Sequence, residues 1–121
     1  MASSILDITE ILNSYSDDIQ ESITNEVIQR AKDGKKTLEA TSPKNKGKYA
    51  KGWRVKTTKG SNYISCTIHN ATDYQLTHLL EKGHLTRNGK KTKAIVHIKP
   101  VEETCIKEYE KNVEKIIKTG G

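Results

Sequence analysis

The chain has 121 residues, of which 33% are hydrophobic, 30% charged and 5% aromatic, with no phenylalanine. This length fits one domain, residues 1–121, and the lean apolar content favours support of its modest core by partner subunits. No apolar run approaches the ~20 residues that a membrane span needs, and no secretory leader is evident, so we expect no membrane partner and reduced cysteines.

The charges are unevenly placed along the chain, which has a formal net charge of +6. Lys44 to Lys59 contains seven basic residues and no acidic one, Lys82 to Lys93 contains five and none, and residues 1–30 are acidic. Such asymmetry favours contact with a polyanion or packing against a subunit of complementary charge. A solvated lysine-rich loop would give the same composition, so both interpretations stay open.

The first predicted element is a long amphipathic helix. Its apolar residues recur at steps of three and four and form one stripe: Ile5, Ile8, Leu12, Tyr15, Ile19, Ile23, Val27 and Ala31. Ser3 or Ser4 is suited to cap its start, and Gly34 is expected to end it.

A basic, turn-rich segment near residues 41–52 is predicted to be a flexible loop, followed by a β-hairpin. The hairpin strands are Trp53–Lys59 and Asn62–Asn70, separated by Gly60 and Ser61. In the second strand, alternation assigns Ile64, Cys66 and Ile68 to the buried face and places His69 on the polar face. We therefore expect Trp53, Ile64 and Ile68 in the core.

The remaining elements are two helices and one strand. A short helix is predicted over Asp73–Lys82, with Leu79 and Leu80 packing inward and Gly83 ending it. A second flexible basic loop is expected near residues 85–93, and Ala94–Lys99 alternates like a third strand. Pro100 then suits the first turn of a last helix that runs to about Lys118.

These predictions give the element order α-β-β-α-β-α and an α+β fold class. Two long helices and a small sheet, each apolar on one face, are expected to form two layers, with the helices packed on a mainly antiparallel three-stranded sheet. Such a small sheet has open edges unless a neighbour covers them.

The pattern H-x-x-E-x-x-H, formed by His78, Glu81 and His84, first resembles a metal site. Residues six apart on a helix lie about 120° from each other, so the two histidines cannot face one ion. Nucleophile elbows and phosphate-binding glycine loops are also missing. We therefore predict no enzyme, metal or cofactor, and assign these three residues to assembly contacts, with His78 and Glu81 as a local pair.

Nucleic-acid binding is a stronger alternative to the assembly role than a metal or catalytic site is. Tyr49 and Trp53 lie among lysines and could stack on bases, although a lone tryptophan is more often a core residue. Lys90, Lys91 and Lys93 form a basic tip that could contact phosphates non-specifically.

Three ordered segments resemble a family of small virion proteins of long-tailed (siphovirus-like) bacteriophages and prophages. They are S-P-K-N-K-G-K-Y-A-K-G-W (42–53), I-H-N-A-T-D-Y-Q-L-T-H-L-L-E-K-G-H (68–84) and V-H-I-K-P-V-E-E (96–103). The family is that of the tail-completion, or head-to-tail joining, proteins. Each motif alone is weak, but their order and spacing together are specific.

The resemblance implies a non-enzymatic structural protein at the head-tail interface of the virion, assembled in the host cytoplasm. Its expected partners are further copies of itself in a ring, expected to be hexameric, the neck or stopper protein, and the tail-tube or tail-terminator protein. We add the inference that the basic tip, Lys90, Lys91 and Lys93, lines a lumen through which phage DNA passes. Related neck and terminator rings share this size and element order, so which ring the chain forms stays open.

Overall fold

The computed structural model describes residues 4–43, 48–72, 77, 80–83, 89–91 and 93–121, with the side chains of residues 4, 5 and 48 left aside. Its strands are β1 (Ser4–Ile11), β2 (Trp53–Lys59) and β3 (Tyr63–Asn70). Its helices are α1 (Asp17–Thr41), the single turn α2 (Lys48–Lys51) and α3 (Ile98–Thr119). Thr77 and residues 80–82 are also helical, within the predicted short helix.

The predicted α+β fold class is confirmed, with a helix, a hairpin and a C-terminal helix following one another around an antiparallel sheet. Within the described residues the sheet has the order β1-β3-β2, and both outer strands run antiparallel to β3. Leu6 pairs with Ile68 and Ile8 with Cys66 on one face, which is the buried one. Helix α1 packs on this face, α3 packs on α1, and side chains of α3 join the same core.

The N-terminal segment differs from the prediction, because residues 4–11 form strand β1 instead of the start of the long helix. Leu6 and Ile8 are buried while Asp7 and Thr9 are exposed, which is a strand alternation. Ile5, Ile8 and Leu12 also fit helical spacing, so the apolar pattern alone did not separate the two structures. A helix cap at Ser16 was the local signal for the true boundary.

Helix α1 starts at that cap and runs past Gly34. The Ser16 hydroxyl accepts a hydrogen bond from the Ile19 N–H at 3.4 Å, and two aspartates occupy the first turn. Gly34 was expected to end the helix, but it lies buried where α1 approaches α3. A Cβ added there would lie 2.9 Å from Cys105 Sγ and 2.9 Å from Ile68 Cδ1. The glycine therefore permits the close contact between the two layers.

The predicted third strand, Ala94–Lys99, is not a strand. Residues 94–97 have no regular structure, and α3 begins at Ile98. Val96 is 56% exposed, whereas Ile98 is buried, and the first turn of α3 places Pro100 where no backbone N–H is needed. The third strand of the sheet is β1, from the opposite end of the chain.

The predicted loop near residues 41–52 is also more ordered than expected in its second half. Lys48–Lys51 forms the helical turn α2, and Tyr49 is only 2% exposed. The segment therefore delivers a core residue immediately before strand β2.

Candidate functional site

Four residues of the sequence motifs meet in a largely buried cluster, hereafter the Tyr49 cluster, which comprises Tyr49, Trp53, Glu81 and His97. The Tyr49 hydroxyl lies 2.8 Å from His97 Nε2, and the two rings meet edge to face with centroids 5.6 Å apart. The ring of Trp53 also meets that of Tyr49 edge to face, with centroids 5.5 Å apart. Edge-to-face pairs of this kind are a favourable aromatic arrangement.

The hydrogen bonds of the cluster determine which nitrogen of the His97 ring carries the proton when the ring is neutral. Nδ1 lies 2.9 Å from the Ile95 carbonyl oxygen and 3.1 Å from Glu81 Oε1, and both of these atoms only accept. Nδ1 therefore carries the proton, and Nε2 accepts from the Tyr49 hydroxyl. Burial raises the pKa of Tyr49, so this hydroxyl keeps its proton.

Two further hydrogen bonds connect the cluster to helix α1 and strand β3. Trp53 Nε1–H donates to Ser42 Oγ at 2.8 Å, immediately after the last residue of α1. Asn70 Nδ2–H donates to the Tyr49 carbonyl oxygen at 2.9 Å. Because Trp53 is 0% exposed, it is a core residue and not a platform on which nucleic-acid bases stack.

Glu81 holds the start of helix α3. Its Oε1 accepts from the backbone N–H groups of His97 at 2.9 Å and Ile98 at 3.1 Å, and its Oε2 accepts from that of Lys99 at 3.1 Å. The side chain of His97, the N-cap residue, makes no capping hydrogen bond. Glu81, from an earlier segment, instead accepts the hydrogen bonds of the first N–H groups of the helix.

The pKa of Glu81 reflects two opposing effects. Burial works against ionisation of the carboxyl group, but the three backbone N–H groups and His97 together outweigh it, so the pKa is lowered. A charged carboxylate at a helix N-terminus is also favoured by the helix dipole. Glu81 is therefore an ionised structural cap.

The predicted assembly contacts are only partly within the described residues. Glu81 bonds to the start of α3, while His78 and His84 lie outside the described residues, so their role stays a prediction. Among the described residues, no group of three His, Cys, Asp or Glu side chains is placed to hold a metal ion. Burial raises the pKa of the Cys105 thiol, which makes it a weaker nucleophile at neutral pH.

Most of the other predicted residues lie within the described part of the chain. Ile64 and Ile68 are buried on the inner face of β3, and Leu80 is half-buried against the core, whereas Leu79 is outside the described residues. Lys90, Lys91 and Lys93 are exposed, next to a glycine at position 89 with φ of 77°. These lysines are accessible to a partner.

The two outer strands of the sheet carry opposite charges. On β2, all residues from Lys56 onward are exposed, and Arg54, Lys56 and Lys59 form what we call the basic edge. On β1, Asp7 and Glu10 form the acidic edge. The Thr67 hydroxyl donates to Asp7 Oδ1 at 2.7 Å, and the Tyr109 hydroxyl donates to Glu10 Oε1 at 2.7 Å, so both carboxylates are held in position.

A comparison with known protein families decides the affiliation. Residues 7–83 match the HK97-gp10-like family, described as "Bacteriophage HK97-gp10, putative tail-component". The chain belongs to this family. It is a bacteriophage tail-related structural protein, and the virion is its place of function. Comparisons with curated proteins and with solved structures gave no match.

Most of the Tyr49 cluster of this HK97-gp10-like chain lies within the matched segment. Tyr49, Trp53 and Glu81 lie inside residues 7–83, whereas His97 and helix α3 lie beyond it. Glu81 thus connects the matched part of the fold to the C-terminal helix. No helix among the described residues is long and apolar enough to span a bilayer.

Sequence reasoning missed two functional features of this fold. The capping role of Glu81 has no local signal, since its backbone partners follow 16 to 18 residues later. The acidic edge was missed because residues 4–11 were assigned to a helix. The alternation of Leu6 and Ile8 with polar residues, followed by the cap at Ser16, was the signal that could have found it.

Proposed function

We propose that this protein is a non-enzymatic subunit of a ring, hexameric in the virion, that joins the phage tail to the neck of the DNA-filled capsid. The family match over residues 7–83 carries the proposal, because it assigns the chain to a tail component. The three motif segments of the joining proteins support the finer role. The partners are further copies of the chain, the neck or stopper protein, and the tail-tube or tail-terminator protein.

The architecture suits a ring subunit. Its most distinctive side chains stabilise the fold, since Tyr49, Trp53 and His97 are buried and Glu81 caps α3. The outer strands β1 and β2 each have a single neighbour, β3, within the described sheet. Open strand edges with opposite charges favour repeated contacts between copies.

Electron microscopy of a lysate from a phage lacking this gene tests the joining role. Filled heads and finished tails should accumulate separately, and a plasmid copy of the gene should restore joined virions. Tails of irregular length would instead indicate a terminator, and heads that lose their DNA would indicate a stopper. Normally joined virions in the deletion lysate would overturn the proposal.

The basic tip is proposed to face the passing DNA. Lys90, Lys91 and Lys93 are exposed in the described structure, and phosphates would be contacted without sequence preference. Lys90→Ala with Lys91→Ala should leave joining intact and slow DNA delivery into cells. Unchanged delivery would remove DNA contact from the role of these lysines.

A small basic nucleic-acid-binding protein is the second candidate, favoured by the exposed, acid-free basic edge of β2. The buried Trp53 limits such binding to phosphate contacts. Binding of a random DNA duplex should then weaken steeply with salt, and Lys56→Ala should reduce the slope of log affinity against log salt by about one. A flat titration at low salt would exclude this function.

A further inference from the structure

A groove runs along the acidic edge, between strand β1 and helix α3. It has a volume of about 380 Å³, and its apolar floor includes Leu6, Ile8 and Ile106. Ile106 is 43% exposed, and Glu102 and Glu110 are also among the residues that line the groove. The groove therefore offers the outer edge of β1, which has no second strand neighbour in the described sheet, together with apolar side chains and negative charge.

The basic edge at the other end of the sheet has the complementary properties. Lys56 occupies the same row of the sheet as Asp7, since both pair with Thr67. Lys59 occupies the same row as Glu10, since both pair with Ile64. Lys56 and Lys59 of β2 thus each have an acid of β1 at the same height and on the same face.

The strand directions permit this match between copies. β1 and β2 both run antiparallel to β3, so they point in the same direction. If neighbouring copies are related by a rotation about an axis parallel to the strands, β2 of one copy lies parallel to β1 of the next. The buried faces of the two sheets are then on the same side. The rows then put Lys56 beside Asp7 and Lys59 beside Glu10 without any shift in register.

We propose that neighbouring copies join edge to edge, with the basic β2 edge of one subunit lying along β1 in the acidic groove of the next. This inference rests on the proposed ring function and names its subunit contact. A two-fold contact would place β1 on β1 or β2 on β2 and bring like charges together, which is unfavourable. In a head-to-tail row of subunits, one end has a free β1 edge and the other end has a free β2 edge. These two edges can join in the same contact, which closes the row into a ring.

Disulfide trapping in virions tests the contact. Thr9 and Thr58 share one row through Ser65 and lie on the exposed face. A chain carrying both Thr9→Cys and Thr58→Cys should form, on oxidation, a ladder of covalent oligomers beyond the dimer. A mixture of the two single variants should stop at dimers, because each copy then has one reactive edge.

The control moves one cysteine to the opposite face of β2. Thr57 is the neighbour of Thr58 and points to the other side of the sheet, so Thr9→Cys with Thr57→Cys should give no ladder. Dimers from Thr9→Cys alone would show a two-fold contact and overturn the proposal. Joined virions without a ladder would also overturn it, while leaving the joining role intact.

Charge exchange gives a second measurement that does not depend on cysteine chemistry. Asp7→Lys or Lys56→Asp alone should lower oligomer formation by purified protein about tenfold, and the two together should restore it. Glu103→Lys, at an exposed site on α3, is the matched control. If Glu103→Lys also lowers oligomer formation, or if the double variant does not restore it, the result counts against the edge contact. Normal virions from the deletion phage would instead refute the joining role alone.

Discussion

The cap that Glu81 provides for helix α3 gives a quantitative prediction. Glu81→Ala removes the acceptor for three backbone N–H groups at the start of α3. Loss of an N-cap costs about 0.5–2 kcal/mol, and part-buried donors left without a partner add to this, so we expect about 2–3 kcal/mol. Glu81→Gln keeps a neutral acceptor and should cost about 1 kcal/mol, mainly through loss of the charge at the helix N-terminus.

The dependence on pH separates the charge from the shape of the side chain. The pKa of Glu81 is lower in the folded protein than in the unfolded chain, where a glutamate titrates near about 4.3. The charge therefore stabilises the fold fully above the unfolded pKa, and this stabilisation is lost as the pH falls through the folded value. The gap between wild type and Glu81→Gln should narrow below about pH 4.

Urea denaturation followed by the fluorescence of Trp53, the single tryptophan, measures these differences. Glu103→Gln is the control, because Glu103 is an exposed glutamate on the same helix. The capping role would be refuted if Glu81→Gln equalled wild type at pH 7. A gap that stayed constant from pH 7 to pH 3 would refute the part assigned to the charge.

Three further predictions address the core, the helix contact and the basic tip. Trp53→Ala should lower the free energy of unfolding by about 3–5 kcal/mol because the ring is fully buried, and near-wild-type melting would contradict this. Gly34→Ala should destabilise by about 1 kcal/mol, since overpacking against Cys105 exceeds the gain in helix propensity, and Cys105→Ala should relieve part of the loss in a thermal melt. Lys90→Ala with Lys91→Ala should leave the melting temperature within about 2 °C of wild type, and a larger drop would refute their assignment to an exposed tip.

The local parts of the fold could be predicted from sequence because their signals are local. The hairpin follows from the alternation of Ile64, Cys66 and Ile68, and helix α3 from apolar residues at steps of four. Strand β1 was missed because Ile8 and Leu12 fit a helix as well as a strand. The pairing of β1 with β3, more than fifty residues away, decides between the two, and the cap at Ser16 is the local signal that agrees with it.

The candidate site shows the same division between local and distant causes. The motifs identified Tyr49, Trp53 and Glu81 as unusual, but their roles depend on partners far along the chain. His97 lies 48 residues from Tyr49 and 16 from Glu81. A single sequence contains no periodic signal at such separations, so the glutamate between two histidines resembled a metal ligand and is instead a helix cap.

The central position of β3 also determines the order in which the strands of the subunit pair during synthesis. β1 is synthesised first, yet it has no strand to pair with until residues 63–70 have left the ribosome, and closing so long a loop is slower than forming the hairpin. β2 and β3 therefore come together before β1 joins them. A nascent or half-folded chain has no finished β1 edge to offer, so only completed subunits are ready for docking along that side of the sheet.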